Sequence, residues 1–283
     1  MGAMRDSLGN PLGLIAGAGR FPFLVARGAR QAGRPVVAVA LKGLADPALR
    51  DCVDRFYWSG VVRLGQWIRI FRRCRVREAI LAGSVRKADM YGRFRLIRFL
   101  PDWTSFRLWF FDVPDRRNDT ILRATAERME GKGITLTDSV RYCRDQLSGP
   151  GILTRRQPSA DLQRDIDFGW RIAKEMGRLD IGQSIAIKEQ EVIAVEAIEG
   201  TDRMIERAGE LCRHGGWTLI KVAKPDQDMR FDVPTVGPQT VHTLKAHGGK
   251  VLVFEANRTL VIERDELIEA ADRLGVIVVA HEA

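Results

Sequence analysis

The sequence predicts an α/β fold, and three observations support this. Short apolar segments alternate with amphipathic segments of helical period along the chain, an order typical of strands interleaved with helices. A length of 283 residues suits two domains of ordinary size. Gly and Pro concentrate around residues 149–159 and favour a linker there. We therefore expect a Rossmann-like N-terminal domain over residues 1–155 and a second α/β domain with a mixed sheet over residues 156–283.

The N-terminal half is predicted to begin with an apolar strand, residues 12–15, that enters a glycine turn and then a helix over residues 23–31. Pro22 suits the first turn of that helix, because the N–H that proline lacks would have no partner there. Residues 36–41 are rich in Val and Ala and are typical of a buried parallel strand. Further predicted elements are helices at 67–73 and 120–130 and a strand at 78–82 that ends in a second glycine turn, Gly83-Ser84.

The C-terminal half is predicted to alternate helices with strands from residue 161 onward. Two strands within residues 184–198 are expected to flank a turn at 189–191. The other predicted strands cover residues 218–223, 251–254, 259–262 and 276–280. The predicted helices cover residues 161–176, 202–212, 240–246 and 265–274. The segment 221–237 contains two prolines and mixed charges, and its pattern indicates a loop.

Charge is distributed unevenly along the chain, which has 45 Lys and Arg, 36 Asp and Glu, and a formal charge of +9. Residues 1–150 hold 27 basic and 14 acidic side chains (+13), and residues 151–283 hold 18 and 22 (−4). Hydrophobic residues at 45% and charged residues at 29% argue against disorder. We find no apolar stretch near the ~18 residues of a membrane span and no signal peptide, and the four scattered cysteines suit a reducing compartment, so we expect a cytoplasmic protein.

A glycine loop, Gly17-x-Gly19-x-x-Pro22, follows the first predicted strand and opens the first helix. Loops in this position bind nucleotide phosphates through helix N–H groups and the helix dipole. The third glycine of the dinucleotide fingerprint is missing, and Lys42 rather than an acidic residue follows the second strand. Three interpretations stay open: a phosphate site, an NAD(P)-dependent oxidoreductase with Lys42 on the ribose phosphate, and a turn without a ligand.

Basic and aromatic residues are interleaved through residues 86–111, which contain six Lys and Arg side chains among eight Phe, Tyr and Trp side chains. Such a mixture can bind single-stranded nucleic acid, lie at an anionic membrane surface, or form helices packed over a domain edge. The acidic second half of the chain and the lack of a known nucleic-acid motif disfavour the first alternative.

Carboxylates in the C-terminal half are candidates for chemistry. Glu196 interrupts an apolar segment, where a carboxylate needs a partner or a metal if it is buried and needs neither if it faces solvent. The segment 199–202 that follows is either part of a site or a turn in which Thr201 caps a helix. Asp232 lies among Lys and Arg residues, which would keep its pKa low and suit it to holding Mg²⁺ or orienting water, unless its loop is a solvated connector.

Five segments of the chain occur in the same order as in a known family. They are residues 14–22 (LIAGAGRFP), 82–85 (AGSV), 177–183 (GRLDIGQ), 194–202 (AVEAIEGTD) and the loop 221–237. On these segments the sequence resembles the UDP-2,3-diacylglucosamine pyrophosphatases of LpxI type. The resemblance implies a cytoplasmic, Mg²⁺-dependent hydrolase of lipid A biosynthesis in a Gram-negative bacterium. It would attack the phosphorus next to the sugar with water, in a cleft between two domains, and release UMP and 2,3-diacylglucosamine 1-phosphate.

The resemblance also implies roles for individual residues. Asp232 matches the family's catalytic aspartate, and Mg²⁺ is expected at Asp232 and Asp119, although the family's usual Gly-Asp-Asp reads Arg117-Asn118-Asp119 here. The predicted catalytic residues are Asp232, Glu196 and Asp202. The predicted substrate-binding residues are Gly17, Gly19, Gly83, Ser84, Gln183, Glu199, Thr201, Lys221, Lys224, Thr235 and Gly237.

Charge and resemblance together predict the partners of the chain. The substrate would be UDP-2,3-diacylglucosamine, a lipid-linked nucleotide sugar. The basic N-terminal half, and residues 86–111 above all, would contact the inner face of the inner membrane peripherally. We expect no nucleic-acid partner, and a homodimer is left open.

Overall fold

The structure, a computed structural model, describes residues 10–85, 101–115, 118–225, 228–231 and 233–282, with the backbone alone at residues 118 and 119. Its contacts divide the chain into two compact units. Unit 1 comprises Met1–Cys143 with Asp228–Phe231, and unit 2 comprises Arg144–Gln227 with Asp232–Ala283. Residues 144–155, which the sequence prediction placed in the N-terminal domain, thus group with the second unit.

Unit 1 alternates strands with helices. Its regular elements are β1 (Leu12–Ala16), α1 (Phe21–Gln31), β2 (Val36–Leu41), β3 (Arg55–Ser59), α2 (Leu64–Arg73), β4 (Glu78–Ala82), α3 (Trp103–Arg107), α4 (Asn118–Glu130) and β5 (Thr135–Leu136). A 3₁₀ helix at Pro47–Cys52 precedes β3, and a π-helical turn at Leu108–Asp112 directly follows α3. The sequence analysis missed β3, β5 and both short helical segments.

The sheet of unit 1 is entirely parallel and has the strand order β3-β2-β1-β4-β5. Its two central strands explain the apolar runs in the sequence, because every residue of β1 and β2 is buried. The order reverses between β1 and β4, and ligands of such folds bind at the carboxyl ends of the strands beside this reversal. The predicted Rossmann-like arrangement is confirmed.

Unit 2 contains the remaining elements. They are β6 (Gly151–Ile152), α5 (Ala160–Arg178), β7 (Ser184–Lys188), β8 (Glu191–Val195), α6 (Thr201–Leu211), β9 (Trp217–Lys221), β10 (Thr235–Val236), α7 (Pro238–Ala246), β11 (Gly249–Glu255), β12 (Leu260–Val261), α8 (Arg264–Leu274) and β13 (Ile277–His281). Two of these correct the sequence analysis: β6 lies within the predicted linker, and β10 lies within the segment predicted as a loop.

The main sheet of unit 2 is mixed, as predicted, with the order β6-β13-β11-β9-β7-β8. Strands β9, β11 and β13 are parallel, whereas β7 runs antiparallel to both of its neighbours and β6 runs antiparallel to β13. Alternate residues of the central strands pack on opposite faces: Leu219 of β9 contacts the core formed with α6, α7 and α8, and Ile220 contacts the core formed with α5. Helices therefore cover both faces, and β9 is buried throughout.

Within the residues that the structure describes, no helix combines the length and the apolar character that crossing a bilayer requires.

Candidate functional site

Three neighbouring strands of unit 2 bring polar residues to one edge of the sheet. Strand β9 ends at Lys221, β8 ends one residue before Glu196, and the antiparallel β7 begins at Ser184. The register pairs Ser184 with Lys221, and the N–H of Glu196 donates to the carbonyl of Ser184 at 2.8 Å. Residues far apart in the sequence therefore lie together at this edge.

The side chains at this edge are hydrogen-bonded around Thr201, the first residue of α6. Its Oγ1 donates to Oε1 of Glu196 at 3.1 Å, accepts from Nζ of Lys221 at 3.3 Å, and lies 3.3 Å from Oγ of Ser184. Nζ of Lys221 also donates to the carbonyl of Thr235 at 3.1 Å. We call Ser184, Glu196, Thr201, Lys221 and Thr235 the Thr201 cluster. It unites four predicted site residues with Ser184, which the sequence analysis did not select.

Burial makes this cluster chemically unusual. Glu196 and Lys221 are each only 7% exposed, which corrects the alternative that Glu196 faces solvent. Oε2 of Glu196 is buried and has no hydrogen-bond partner among the described residues. Oε1 of Gln183, the residue before Ser184, is likewise buried without a partner among them. A buried, unpaired carboxylate oxygen is costly. It is therefore available to accept a hydrogen bond from water or a ligand, or to bind a cation.

The start of helix α6 adds a second feature at the same edge. Gly200 precedes the helix with φ of +86°. Among the residues that the structure describes, none beyond its chain neighbours has an atom within 4 Å of the position that its Cβ would occupy, and no side chain caps the first turn. Free N–H groups and the positive end of the helix dipole attract anions. Together with the ammonium of Lys221, this first turn suits an anionic group such as a phosphate.

Glu199 and Asp202 flank the start of α6 but take no part in the hydrogen bonds described for the Thr201 cluster. Oε1 of Glu199 accepts from Arg207 at 2.6 Å and Oε2 accepts from the N–H of Ala197 at 3.1 Å. Burial opposes ionisation of this carboxyl, but its hydrogen bonds outweigh burial and hold the pKa of Glu199 below its ordinary value. Glu199 thus braces the turn before α6, and Asp202 is exposed in the first turn.

Lys224 and Gly237 lie near the two ends of the loop that β9 enters. Nζ of Lys224 pairs with the carboxylate of Asp180. Gly237 is the N-cap residue before α7, and its N–H donates to Oγ1 of Thr240 at 3.3 Å. Substrate binding by Lys224 and Gly237 stays a prediction.

The glycine loops of unit 1 meet at the carboxyl ends of β1 and β4. Ala18 and Ser84 exchange two backbone hydrogen bonds of 3.0 Å, and the N–H of Gly17 donates to the carbonyl of Ala82 at 2.8 Å. A Cβ at Gly17 would lie 2.8 Å from the carbonyl oxygen of Ser84, and one at Gly83 would lie 2.6 Å from that of Ala18. Close approach of the loops therefore explains both glycines, and the N–H groups of residues 17, 18 and 84 bond within the unit.

Gly19 differs from these two glycines. It has φ of +93°, and apart from its own chain neighbours no atom of the described residues lies within 4 Å of the position that its Cβ would occupy. This open space lies beside the reversal of strand order, where folds of this kind bind ligands. A phosphate at Gly19 stays a prediction.

Mg²⁺ prefers oxygen donors, and the sequence predicts it at Asp232 and Asp119. Asp232 and the side chain of Asp119 lie outside the described residues, and among the side chains that are described no three or more His, Cys, Asp or Glu residues group together. Mg²⁺ commonly binds one or two carboxylates together with waters and substrate phosphates. The unpaired Oε2 of Glu196 fits that donor chemistry.

The loop after β9 contains a further charged pair, in unit 1. The guanidinium of Arg230 forms a bidentate contact with Asp228, at 2.6 Å between Nη2 and Oδ2 and 2.9 Å between Nε and Oδ1. This contact lowers the pKa of the Asp228 carboxyl and raises that of Arg230. The expectation of a low pKa concerned Asp232, which lies outside the described residues, and Asp228 was not selected from the sequence.

Comparison with known proteins extends over both units. Residues 11–146 match the family model described as the LpxI N-terminal domain, and residues 149–279 match the LpxI C-terminal domain. A curated protein of Caulobacter vibrioides named UDP-2,3-diacylglucosamine pyrophosphatase LpxI is 33% identical over 279 residues, which cover 94% of this chain and 96% of that protein. These matches do not favour the oxidoreductase interpretation. The chain belongs to the LpxI family.

Proposed function

We propose that this chain hydrolyses the diphosphate of UDP-2,3-diacylglucosamine to UMP and 2,3-diacylglucosamine 1-phosphate in lipid A biosynthesis. The observation that carries the proposal is the Thr201 cluster, in which a buried ammonium lies close to a buried carboxylate with an unpaired oxygen. The activity named for the 33% identical relative supports it. A diphosphate needs positive groups around its oxygens, and water needs an acceptor that orients it.

Lys221 and the first turn of α6 would bind the diphosphate. Nζ of Lys221 is held by Oγ1 of Thr201 and the carbonyl of Thr235, so its charge is fixed in place before the substrate arrives. Groups that are already oriented need no rearrangement during the reaction, and this strengthens their effect on the transition state. Gly200 leaves room for a phosphate to approach the helix N–H groups.

Glu196 would act on the attacking water. Its Oε1 is fixed by Thr201, and its unpaired Oε2 can accept a proton or a hydrogen bond from water. As the water oxygen bonds to the phosphorus next to the sugar, the bond from that phosphorus to the bridging oxygen breaks and UMP departs. Mg²⁺ is predicted at Asp232 and Asp119, and when bound it would neutralise charge on the diphosphate oxygens.

The lipid-linked substrate would bring the reaction to a membrane, and α3 together with the π-helical turn after it has the chemistry to contact one. Trp103 is 76% and Phe111 is 75% exposed, and Phe110 is also exposed. The ring of Phe106 stacks on Trp103 at 5.6 Å and lies 4.7 Å from Phe110. The exposed Arg107 adds a positive charge. We propose that these residues contact the inner membrane peripherally. Residues 86–100 of the same predicted surface lie outside the described residues.

The proposed function is tested by incubating the purified chain with UDP-2,3-diacylglucosamine, with Mg²⁺ or with excess EDTA, and identifying the products by mass spectrometry. We expect equal amounts of UMP and 2,3-diacylglucosamine 1-phosphate with Mg²⁺ and a loss of at least a hundredfold in rate with EDTA. Re-addition of Mg²⁺ is the control for damage by the chelator. Intact substrate in the presence of Mg²⁺ would reject the proposal.

A further inference from the structure

Glu255, the last residue of β11, is a fully buried carboxylate outside the Thr201 cluster. Both of its oxygens accept from Nζ of Lys174 at 3.0 Å, and Oε2 also accepts from the N–H of Ala223 at 2.8 Å. Nη1 of Arg258 lies 3.6 Å from Oε1. Two cations thus balance the buried charge, and one hydrogen bond links it to the chain just beyond β9.

Arg258 extends this link along the same segment. Its Nη2 donates to the carbonyls of Lys224 at 3.1 Å and Pro225 at 3.3 Å. Together, Glu255 and Arg258 hold three consecutive residues, 223–225, through backbone atoms. Arg258 contacts this segment with its guanidinium, whereas Lys174 contacts only Glu255 among these groups.

The turn that carries Arg258 is itself fixed. The N–H of Ala256 donates to the carbonyl of His281 at 2.8 Å, and the N–H of Asn257 donates to the carbonyl of Ser148 at 2.8 Å. The turn that carries Arg258 is therefore held by other parts of unit 2, independently of residues 224 and 225. From this fixed position the Arg258 guanidinium can restrain both residues.

The restrained segment belongs to the loop that completes the Thr201 cluster. Lys221 precedes this loop, and Thr235, whose carbonyl accepts from Lys221, follows it. The loop also contains Lys224 and Asp232, two predicted site residues. We propose that Arg258 is a positioning residue for the reaction, which together with Glu255 fixes the start of this loop relative to Lys221. The inference rests on the proposed function.

Two substitutions separate positioning from general stability. Arg258→Lys keeps a positive charge, but its single ammonium cannot both face Glu255, as Nη1 of Arg258 does, and reach the carbonyls of Lys224 and Pro225, as Nη2 does. We expect its kcat to fall about tenfold or more with KM changed less than about threefold, because small misplacement of reacting groups is costly. Lys174→Met removes the other cation without touching the loop. We expect a lower melting temperature for Lys174→Met and a kcat per folded enzyme within about threefold of wild type.

Hydrogen exchange supplies a measurement that does not depend on activity. Peptides covering residues 222–231 should exchange faster in Arg258→Lys than in wild type or Lys174→Met. Unchanged exchange in Arg258→Lys would reject the restraint, and faster exchange with an unchanged kcat would reject its role in the reaction. If Arg258→Lys and Lys174→Met lost kcat equally, Arg258 and Lys174 would both have only a structural role around Glu255, and the positioning role of Arg258 would be rejected. A wild-type chain that releases no UMP would instead contradict the proposed function.

Discussion

Glu196 is the residue in which burial and chemistry conflict most directly. It is only 7% exposed, yet one of its carboxylate oxygens has no hydrogen-bond partner among the described residues. Folding would favour a neutral or fully bonded side chain at this position. A site that binds a cation or orients water instead needs a free acceptor, and such unfavourable groups occur preferentially at functional sites.

We predict that Glu196→Gln lowers kcat about a hundredfold or more while the melting temperature stays near that of wild type. Glutamine keeps the shape and an acceptor for Thr201, but it is neutral and a poor base. Glu191→Gln, the same change at the exposed start of β8, is the matched control and should leave kcat unchanged. Steady-state kinetics and thermal denaturation provide both readouts, and a Glu196→Gln enzyme with wild-type kcat would remove Glu196 from the chemistry.

Gly83 illustrates a residue fixed by geometry. We predict that Gly83→Ala lowers the free energy of unfolding by about 2 kcal/mol or more, because φ is +91° and the new Cβ would lie 2.6 Å from the carbonyl oxygen of Ala18. Gly133→Ala is the control. Its φ is +79°, but no described residue beyond its chain neighbours lies within 4 Å of the new Cβ, so backbone strain alone should lower its free energy of unfolding. Urea denaturation of both variants should show the larger loss for Gly83→Ala, and equal losses would contradict the close approach of the two loops.

At the scale of elements, prediction from sequence depended on burial. The bounds of β2 and β4 were predicted correctly, because β2 is a continuous apolar run before Lys42 and β4 is apolar from Ala79 up to the glycine turn at Gly83. Strand β3 was missed: it lies at the sheet edge, its side chains are mostly half-buried, and Arg55 opens it. Strands β6 and β10 contain two residues each, too few for a period to be detected.

The exposed aromatic residues of α3 and of the π-helical turn after it predict preferential binding to anionic lipid. Wild-type protein should float with vesicles of phosphatidylglycerol more strongly than with vesicles of phosphatidylcholine, because Arg107 and the basic half of the chain favour anionic lipid. The double variant Trp103→Ser with Phe111→Ser should bind the anionic vesicles about tenfold less, through loss of inserted apolar surface. Leu211→Ser, which changes a 64% exposed apolar residue in unit 2, is the control. Equal flotation with both lipids, or an unaffected double variant, would refute the membrane contact.

At the scale of the whole molecule, the sequence indicated the fold class and much of the candidate site for different physical reasons. The alternation of elements followed from local periodicity. The convergence of Glu196, Thr201 and Lys221 depends on strand order and register, which no local pattern encodes, and the resemblance to a family supplied it. For the same reason Ser184 was overlooked, since its place beside Lys221 follows only from pairing of β7 with β9. The roles of Asp232 and Asp119, the interdomain cleft and a homodimer stay predictions.

The reversed direction of β7 has a consequence for how many chain segments can reach one edge of a sheet. In a purely parallel sheet each helix ends at the edge opposite to the strand termini that carry function. Because β7 runs antiparallel to β9, helix α5 ends at the edge that carries the Thr201 cluster, and Asp180 just beyond it reaches Lys224. A single inverted strand thus brings a helix terminus to the site, and exchanging the direction of β7 in a redesigned sheet would remove that contribution along with Ser184.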